Sequence, residues 1–189
     1  MKKVMGERKK DADLLKSAAA GSMRACRTLV DGHLKLMLGL AYQMLGDVTE
    51  AEDIAQEAFL RLWKQAPFWR ADAKISVWLY RVVYNLCIDR LRKTKRMSGE
   101  DIPEIPTAPT QMGDIHKGEM AEIINNALLT LPDRQRAAIT LVHLQEKSNI
   151  GAAEIMGVSV EALESLLSRG RKGLKARLGD EGKNLIGGL

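Results

Sequence analysis

Between Ser159 and Arg177 the chain sets Arg169, Arg171, Lys172 and Lys175 on one side of a helical pattern, together with Glu161, Glu164, Ser165 and Ser168. The other side repeats Val160, Leu163, Leu167, Gly170, Leu174 and Leu178 at three- and four-residue steps, one stripe of a helix. Guanidinium and ammonium groups so placed suit phosphates and the acceptor edges of bases in a major groove. Upstream, the segment around AAEIMGVS predicts a short helix over about Ser148–Met156, closed by Gly157, with Ser159 capping the helix that follows. Two helices, a glycine turn and a basic front define a helix-turn-helix pattern. An amphipathic surface helix packed on its neighbour is the plainer alternative.

A second kind of chemistry is written in SVWLYRVVYNLCIDRLRKTKR. Its exposed side is expected to mix Trp78, Arg81, Tyr84, Asn85, Arg90, Arg92, Lys93, Lys95 and Arg96, while Val77, Leu79 or Tyr80, Val83, Leu86, Cys87, Ile88 and Leu91 supply the core. Rings interleaved with cations suit a single strand, since rings stack on splayed bases and cations follow the backbone. Phe68 and Trp69, beside Arg70, stand in the loop just before, where folding over the core is the alternative. A third pattern has the opposite sign. TEAEDIAQEAFLRLWKQ buries Ile54, Ala58, Phe59 and Leu62 and displays Glu50, Glu52, Asp53, Gln56 and Glu57. Acids in a first turn favour the helix dipole. Asp53, Gln56 and Glu57 lie beyond that turn and suit a protein partner with a basic surface.

Catalysis and metal binding find no support. His33, His116 and His143 are scattered, with His33 expected on the surface. Cys26 and Cys87 lack ligand spacing and are expected to be buried free thiols. No cofactor is implied. The 189 residues carry a formal net charge of +5 and a pI of about 9.2, which suits nucleic acid without requiring it. The charged start, MKKVMGERKKDADLL, has no apolar core of a signal peptide, and no apolar run reaches the length of a membrane span. A soluble cytoplasmic protein without membrane insertion is expected.

These patches need helices to hold them, and only helical periodicity is found. Residues 1–10 are expected to fray, a first helix to run from Asp11 to about Ala20, and a second from its Ser22 cap to about Leu45, with Leu29, Leu34, Met37, Leu38, Leu40, Ala41 and Leu45 inside. Gly46-Asp47 ends it, and Thr49 with Glu52 forms a capping box for the third. The fourth starts near Ser76. Residues 97–114, with Pro103, Pro106 and Pro109, read as a flexible linker and a domain boundary. Helices follow over Ile115–Leu129 and, with Pro132 near its first position, over DRQRAAITLVHLQ. The tail from Gly179 is expected to be disordered. The fold class is therefore all-α: two small helical domains, 11–96 and 115–178, joined by a linker.

Taken together, TEAEDIAQEAFLRLWK with WLYRVVYNLCIDRLRK, and LPDRQRAAITL with AAEIMGVSVEALESLLSRGRKGLKARL, resemble regions two and four of bacterial sigma factors. The short length and direct linker resemble the extracytoplasmic-function (ECF) group, and the similarity spans about residues 11–178. The resemblance implies a protein that binds core RNA polymerase and directs promoter-specific initiation, with no catalytic residues. It implies that Glu50, Glu52, Asp53, Gln56 and Glu57 dock on the beta-prime clamp. Phe68, Trp69, Trp78, Arg81, Tyr84, Asn85 and Arg92 would open and hold the −10 element. Arg134, Arg136, Ser159, Glu161, Ser165, Arg169, Arg171 and Lys172 would serve the duplex −35 element, with region four on the beta flap and the linker toward the RNA exit path. It also implies control by an anti-sigma factor. Leu166, Gly170 and Gly173 depart from the family pattern, which often has Arg, Ala and Ala there, and SNIGAAEIM lacks the usual acids at Ile150 and Gly151. Two glycines weaken an isolated helix by up to about 1 kcal/mol each. A helix-turn-helix regulator that works without polymerase is the competing assignment; it has no use for the acidic face or the aromatic loop.

Overall fold

The computed structural model describes the backbone of residues 2–70, 74–98 and 115–178. Within them the chain forms eight α-helices and no strand: α1 (Lys2–Ala19), α2 (Met23–Leu45), α3 (Val48–Gln65), α4 (Ile75–Ser98), α5 (Ile115–Leu129), α6 (Asp133–Ile139), α7 (Asn149–Met156) and α8 (Val160–Leu178). Helix α4 takes in Met97 and Ser98, the first two residues of the expected linker; the rest of the linker, 99–114, and the tail beyond residue 178 lie outside the described residues.

Local signals set most boundaries. Ser22 accepts from the Ala25 N–H, Ser148 from Gly151 and Ser159 from Ala162, each satisfying a first-turn donor. Gly157 ends α7 with φ of 64°, and its N–H and that of Val158 return to carbonyls of α7. Three expectations need correction. Helix α1 already starts at Lys2, within the segment expected to fray. The cap of α3 is Asp47, whose carboxylate accepts from Glu50 N–H at 2.8 Å, and not Thr49. The segment after Pro132 is not one regular helix: Pro132 is the cap, α6 ends at Ile139, and residues 140–144 widen into a π-helical turn.

Helices α1–α4 close over Leu15, Leu29, Met37, Leu40, Met44, Leu62, Leu79, Tyr80 and Cys87, all essentially without solvent contact. Burial pushes the Cys87 thiol up to about 12, so it is an inert core group. Cys26 departs from expectation in being only half-buried. Helices α5–α8 close over Leu128, Ile139, Leu141, Ala152, Leu163, Leu167 and Leu174. The two cores are continuous, because α4 packs on α7 and α6, and α2 on α5.

Helix α8 crosses α6 at close range, and its two unusual glycines differ in purpose. A Cβ on Gly170 would stand 2.8 Å from Ile139 Cγ1 and 3.3 Å from its Cδ1, so the fully buried Ile139 side chain would have to shift. A Cβ on Gly173 would meet only the terminal Cδ2 of Leu131, at 2.7 Å, which a rotation of that side chain can relieve. Gly170→Ala is therefore expected to destabilise by about 1–3 kcal/mol through overpacking, despite its better helix propensity. Gly173→Ala is expected to be neutral or to gain up to about 1 kcal/mol. Urea denaturation of the two variants measures the contrast, and equal midpoints would contradict it.

Candidate protein and nucleic-acid interfaces

Helix α3 turns its buried stripe, Ile54, Ala58 and Leu62, toward α2 and α4, which leaves Glu52, Asp53 and Gln56 exposed on the opposite side. Glu57 lies at the edge of this face, half-exposed, and accepts from Arg61 at 2.8 Å. Glu50 flanks the patch, with 38 % of its side chain exposed. Its carboxylate pairs with Arg90 of α4 at 2.9 Å and ties the start of α3 to that helix. Beside the acids runs a feature not anticipated from the sequence. An apolar groove of about 500 Å³ lies between α2 and α3, lined by Val30, Leu34, Leu38, Ala55, Phe59, Leu60 and Trp63, with Glu52 and Gln56 on its rim. Phe59 and Trp63, one turn apart on α3, stack along its α3 wall with centroids 6.1 Å apart. Leu34 and Leu38 were expected inside the bundle; they are only partly buried, and they face this groove. The signal was the Val30–Leu34–Leu38 spacing, a second apolar stripe on α2, together with Leu60, which is 52 % exposed.

On α4, Arg81, Asn85 and Arg92 are exposed. Trp78 is half-buried, and Trp69 meets it edge to face at 5.8 Å, so these two rings brace each other. Phe68 projects from a short 3₁₀ turn (Ala66–Phe68) and is 75 % exposed. Residues 71–73 of the expected loop lie outside the described residues. Tyr84 departs from expectation: it is 6 % exposed because the second half of the chain covers it. Burial raises its phenol pKa, while a hydrogen bond and the charge of Arg134 oppose the rise.

On α8, Glu161, Ser165, Arg169, Arg171 and Lys172 are all exposed, opposite the buried Leu163, Leu167 and Leu174. Glu161 serves the cap as well: hydrogen bonds from its own N–H and from Ser159 hold its carboxyl below the usual range. Arg169 donates to the Ser165 carbonyl at 3.2 Å, which lays its side chain along the helix.

Arg136 is the clearest correction among the −35 candidates. It is 5 % exposed, and its guanidinium donates to the carbonyls of Leu128 at 3.1 Å, Leu129 at 2.7 Å, Leu131 at 3.1 Å and Met44. These carbonyls cluster at the C-terminal ends of α5 and α2, where helix geometry leaves acceptors unpaired and the dipole favours a cation. Burial lowers the pKa of Arg136, and Asp133 opposes that shift. In this structure Arg136 is a structural clasp and offers nothing to DNA. Arg134, two residues earlier, is exposed and bonded to Tyr84.

The described residues thus sort into an acidic, groove-bearing face on α3 and cation-bearing faces on α4 and α8. No group of three His, Cys, Asp or Glu side chains among the described residues converges to hold a metal. No helix among them is long and apolar enough to cross a membrane.

Comparison with known proteins gives this arrangement a class. Residues 29–97 match Sigma-70 region 2, and residues 121–174 match Sigma-70, region 4. The ECF RNA polymerase sigma factor SigW of Bacillus subtilis is 33 % identical over 178 residues, covering 88 % of this chain and 95 % of its own. The ECF RNA polymerase sigma factor SigM of Mycobacterium tuberculosis is 32 % identical over 169 residues, covering 89 % and 85 %. The chain therefore belongs to the ECF RNA polymerase sigma factors. Among solved structures, CnrH in complex with the cytosolic domain of CnrY is similar with a TM-score of 0.66 and 27 % identity, covering 89 % of this chain and 96 % of that one. The sigma factor RpoE of Bartonella quintana, solved with the anti-sigma factor NepR, shares the fold with a TM-score of 0.67 at 23 % identity, over 82 % and 96 %.

Proposed function

We propose that this chain carries core RNA polymerase to a specific set of promoters and acts there by binding alone, with no catalytic residue, in the cytoplasm. The observation that carries the reading is the segregation of charge. Glu52, Asp53 and Gln56 rim an apolar groove on α3, while exposed cations occupy α4 and α8. An apolar groove edged by carboxylates suits a helical protein surface with basic flanks, here the beta-prime clamp of the polymerase. Glu57 joins this set, and Glu50, paired with Arg90, flanks it.

Arg81, Asn85, Arg92 and Phe68, with the Trp69–Trp78 pair behind them, form the surface for a melted −10 strand. Each duplex step opened costs about 1.4 kcal/mol. Each base stacked on a ring returns about 1–3 kcal/mol. Capture of one or two bases therefore offsets the cost in part, without nucleotide hydrolysis. Arg169, Arg171, Lys172 and Ser165 on α8 would meet the −35 duplex, with Glu161 and Ser159 fixing the start of that helix and region four resting on the beta flap. An anti-sigma protein over the α3 groove is the expected regulator; that the similar CnrH was solved in complex with the cytosolic domain of CnrY supports a protein partner.

Run-off transcription on sheared DNA of the encoding organism, with 5′-end mapping, tests the proposal. Core polymerase with this chain is expected to start at discrete sites that share a sequence, and core alone is not. Identical start patterns with and without the chain would contradict it.

A further inference from the structure

Two stretches of the chain carry no carboxylate, residues 14–30 and 58–71, and the fold brings them to one end of the first bundle. The turn after α1 leads directly into α2, with the N–H groups of Ala20 and Ser22 returning to carbonyls of α1. Val30 of α2 and Trp63 of α3 line the same groove, so the start of α2 lies beside the end of α3. The 3₁₀ turn after α3 packs on α1 and closes this end. Four exposed cations result: Lys16 in the last turn of α1, Arg24 and Arg27 in the first two turns of α2, and Lys64 in the last turn of α3. None of the four has an ion pair among the described residues. Met23 and Phe68 share this end, each 75 % exposed.

Helix electrostatics accounts for only half of the pattern. Lys16 and Lys64 sit at helix C-termini, where the dipole favours a cation. Arg24 sits in the first turn of α2, which has no acid, and there the dipole opposes it; Arg27, one turn on, gains nothing from it. Neither stabilises its own helix, and a cation with no partner inside the chain is available to an anion outside it. The surroundings select the anion. Trp69 follows Phe68 and meets Trp78 edge to face, which joins this corner to the α4 surface assigned above to the melted −10 strand. An exposed ring among cations suits the bases and phosphates of a single strand. We propose that the corner formed by Lys16, Arg24, Arg27, Lys64 and Phe68 is a second single-strand contact, which carries the melted strand on from the −10 bases toward the transcription start. The inference rests on the promoter-binding reading above. The direction follows from the chain. Helix α4 leaves at its C-terminal end, Ser98, for the domain assigned to the upstream −35 duplex, and the corner lies off its other end.

The variant Lys16→Gln/Arg24→Gln/Arg27→Gln/Lys64→Gln removes four charges from exposed positions and is expected to keep wild-type helical content and core-polymerase affinity. Fluorescence anisotropy of the free full-length chain with an oligothymidylate of about 15 nucleotides needs no promoter. The variant is expected to bind at least about tenfold more weakly at low salt. The slope of log affinity against log salt is expected to fall by about 3, since each single-strand phosphate contact contributes about 0.7. Holoenzyme on forked promoter DNA locates the contact. Extending the non-template strand by about ten nucleotides beyond the −10 element is expected to raise wild-type affinity and not that of the variant. On a fork that stops at the −10 element the two are expected to bind equally. Equal salt slopes on the oligonucleotide, an equal gain from the extension, or lost core-polymerase affinity in the variant would each overturn the proposal, the last by assigning the corner to protein. Failure to direct initiation, with the oligonucleotide slopes differing as expected, overturns the promoter reading and leaves the single-strand contact standing.

Discussion

Replacing both Asp53 and Glu57 by lysine is expected to lower affinity for core polymerase by about 100-fold or more and leave the fold intact. The magnitude follows from what reversal does at a docked surface. Truncating one partner of a buried interfacial charge pair costs about 2–5 kcal/mol, and reversal adds repulsion to that loss. The fold is spared for three reasons. Both positions are off the buried stripe of α3. The Glu57–Arg61 pair is a surface pair, 42 % and 48 % exposed, worth at most about 1 kcal/mol. Asp53 lies past the first turn, where the dipole of α3 adds little. Size-exclusion binding to core polymerase, beside circular dichroism on the free variant, measures both halves. Wild-type binding by the double variant would remove α3 from the polymerase interface and favour a regulator that works on duplex DNA alone.

Replacing Arg136 by methionine is expected to be the most damaging single substitution to stability. Methionine fills much of the volume and offers no donor, so the carbonyls of Leu128, Leu129, Leu131 and Met44 lose their common partner. An unsatisfied buried acceptor costs about 1–3 kcal/mol, and some of the four will recruit water, so a total of about 3–5 kcal/mol is expected. A chain of this size loses about 2–4 °C of melting midpoint per kcal/mol, so the midpoint is expected to fall by roughly 10 °C. Arg136→Lys keeps the charge but has one nitrogen for four acceptors spread over two helix ends, and should recover only part of the loss. A methionine variant that melts within about 2 °C of wild type would mean that the guanidinium is not what satisfies those helix ends.

What was legible in the sequence follows from how local each cause is. Ser22, Ser159 and Gly157 act within one turn of their own helix, and they stand where the sequence placed them. The stripe of α8 is likewise a property of one segment, and Leu163, Leu167 and Leu174 are buried while Arg169, Arg171 and Lys172 are exposed. Asp47 was passed over because two good caps lie two residues apart, and only the path of the preceding turn decides between them. The π-helical turn over residues 140–144 was hidden because its apolar residues continue the pattern of α6. Arg136 and Tyr84 were misplaced for a different reason. Each is surrounded by groups from distant parts of the chain, Met44 in one case and Arg134 in the other. No periodicity encodes such a meeting. The same holds for the groove, whose two walls are separate helices.

The claim on which the account turns is that the acidic, groove-bearing face of α3 holds core polymerase. The most direct measurement is co-elution of the purified full-length chain with sigma-free core polymerase in size-exclusion chromatography, with any bound inhibitor stripped beforehand. A one-to-one complex for the wild-type chain and none for Asp53→Lys/Glu57→Lys is the predicted result. A wild-type chain that elutes alone, while its helical content shows it folded, would contradict the account.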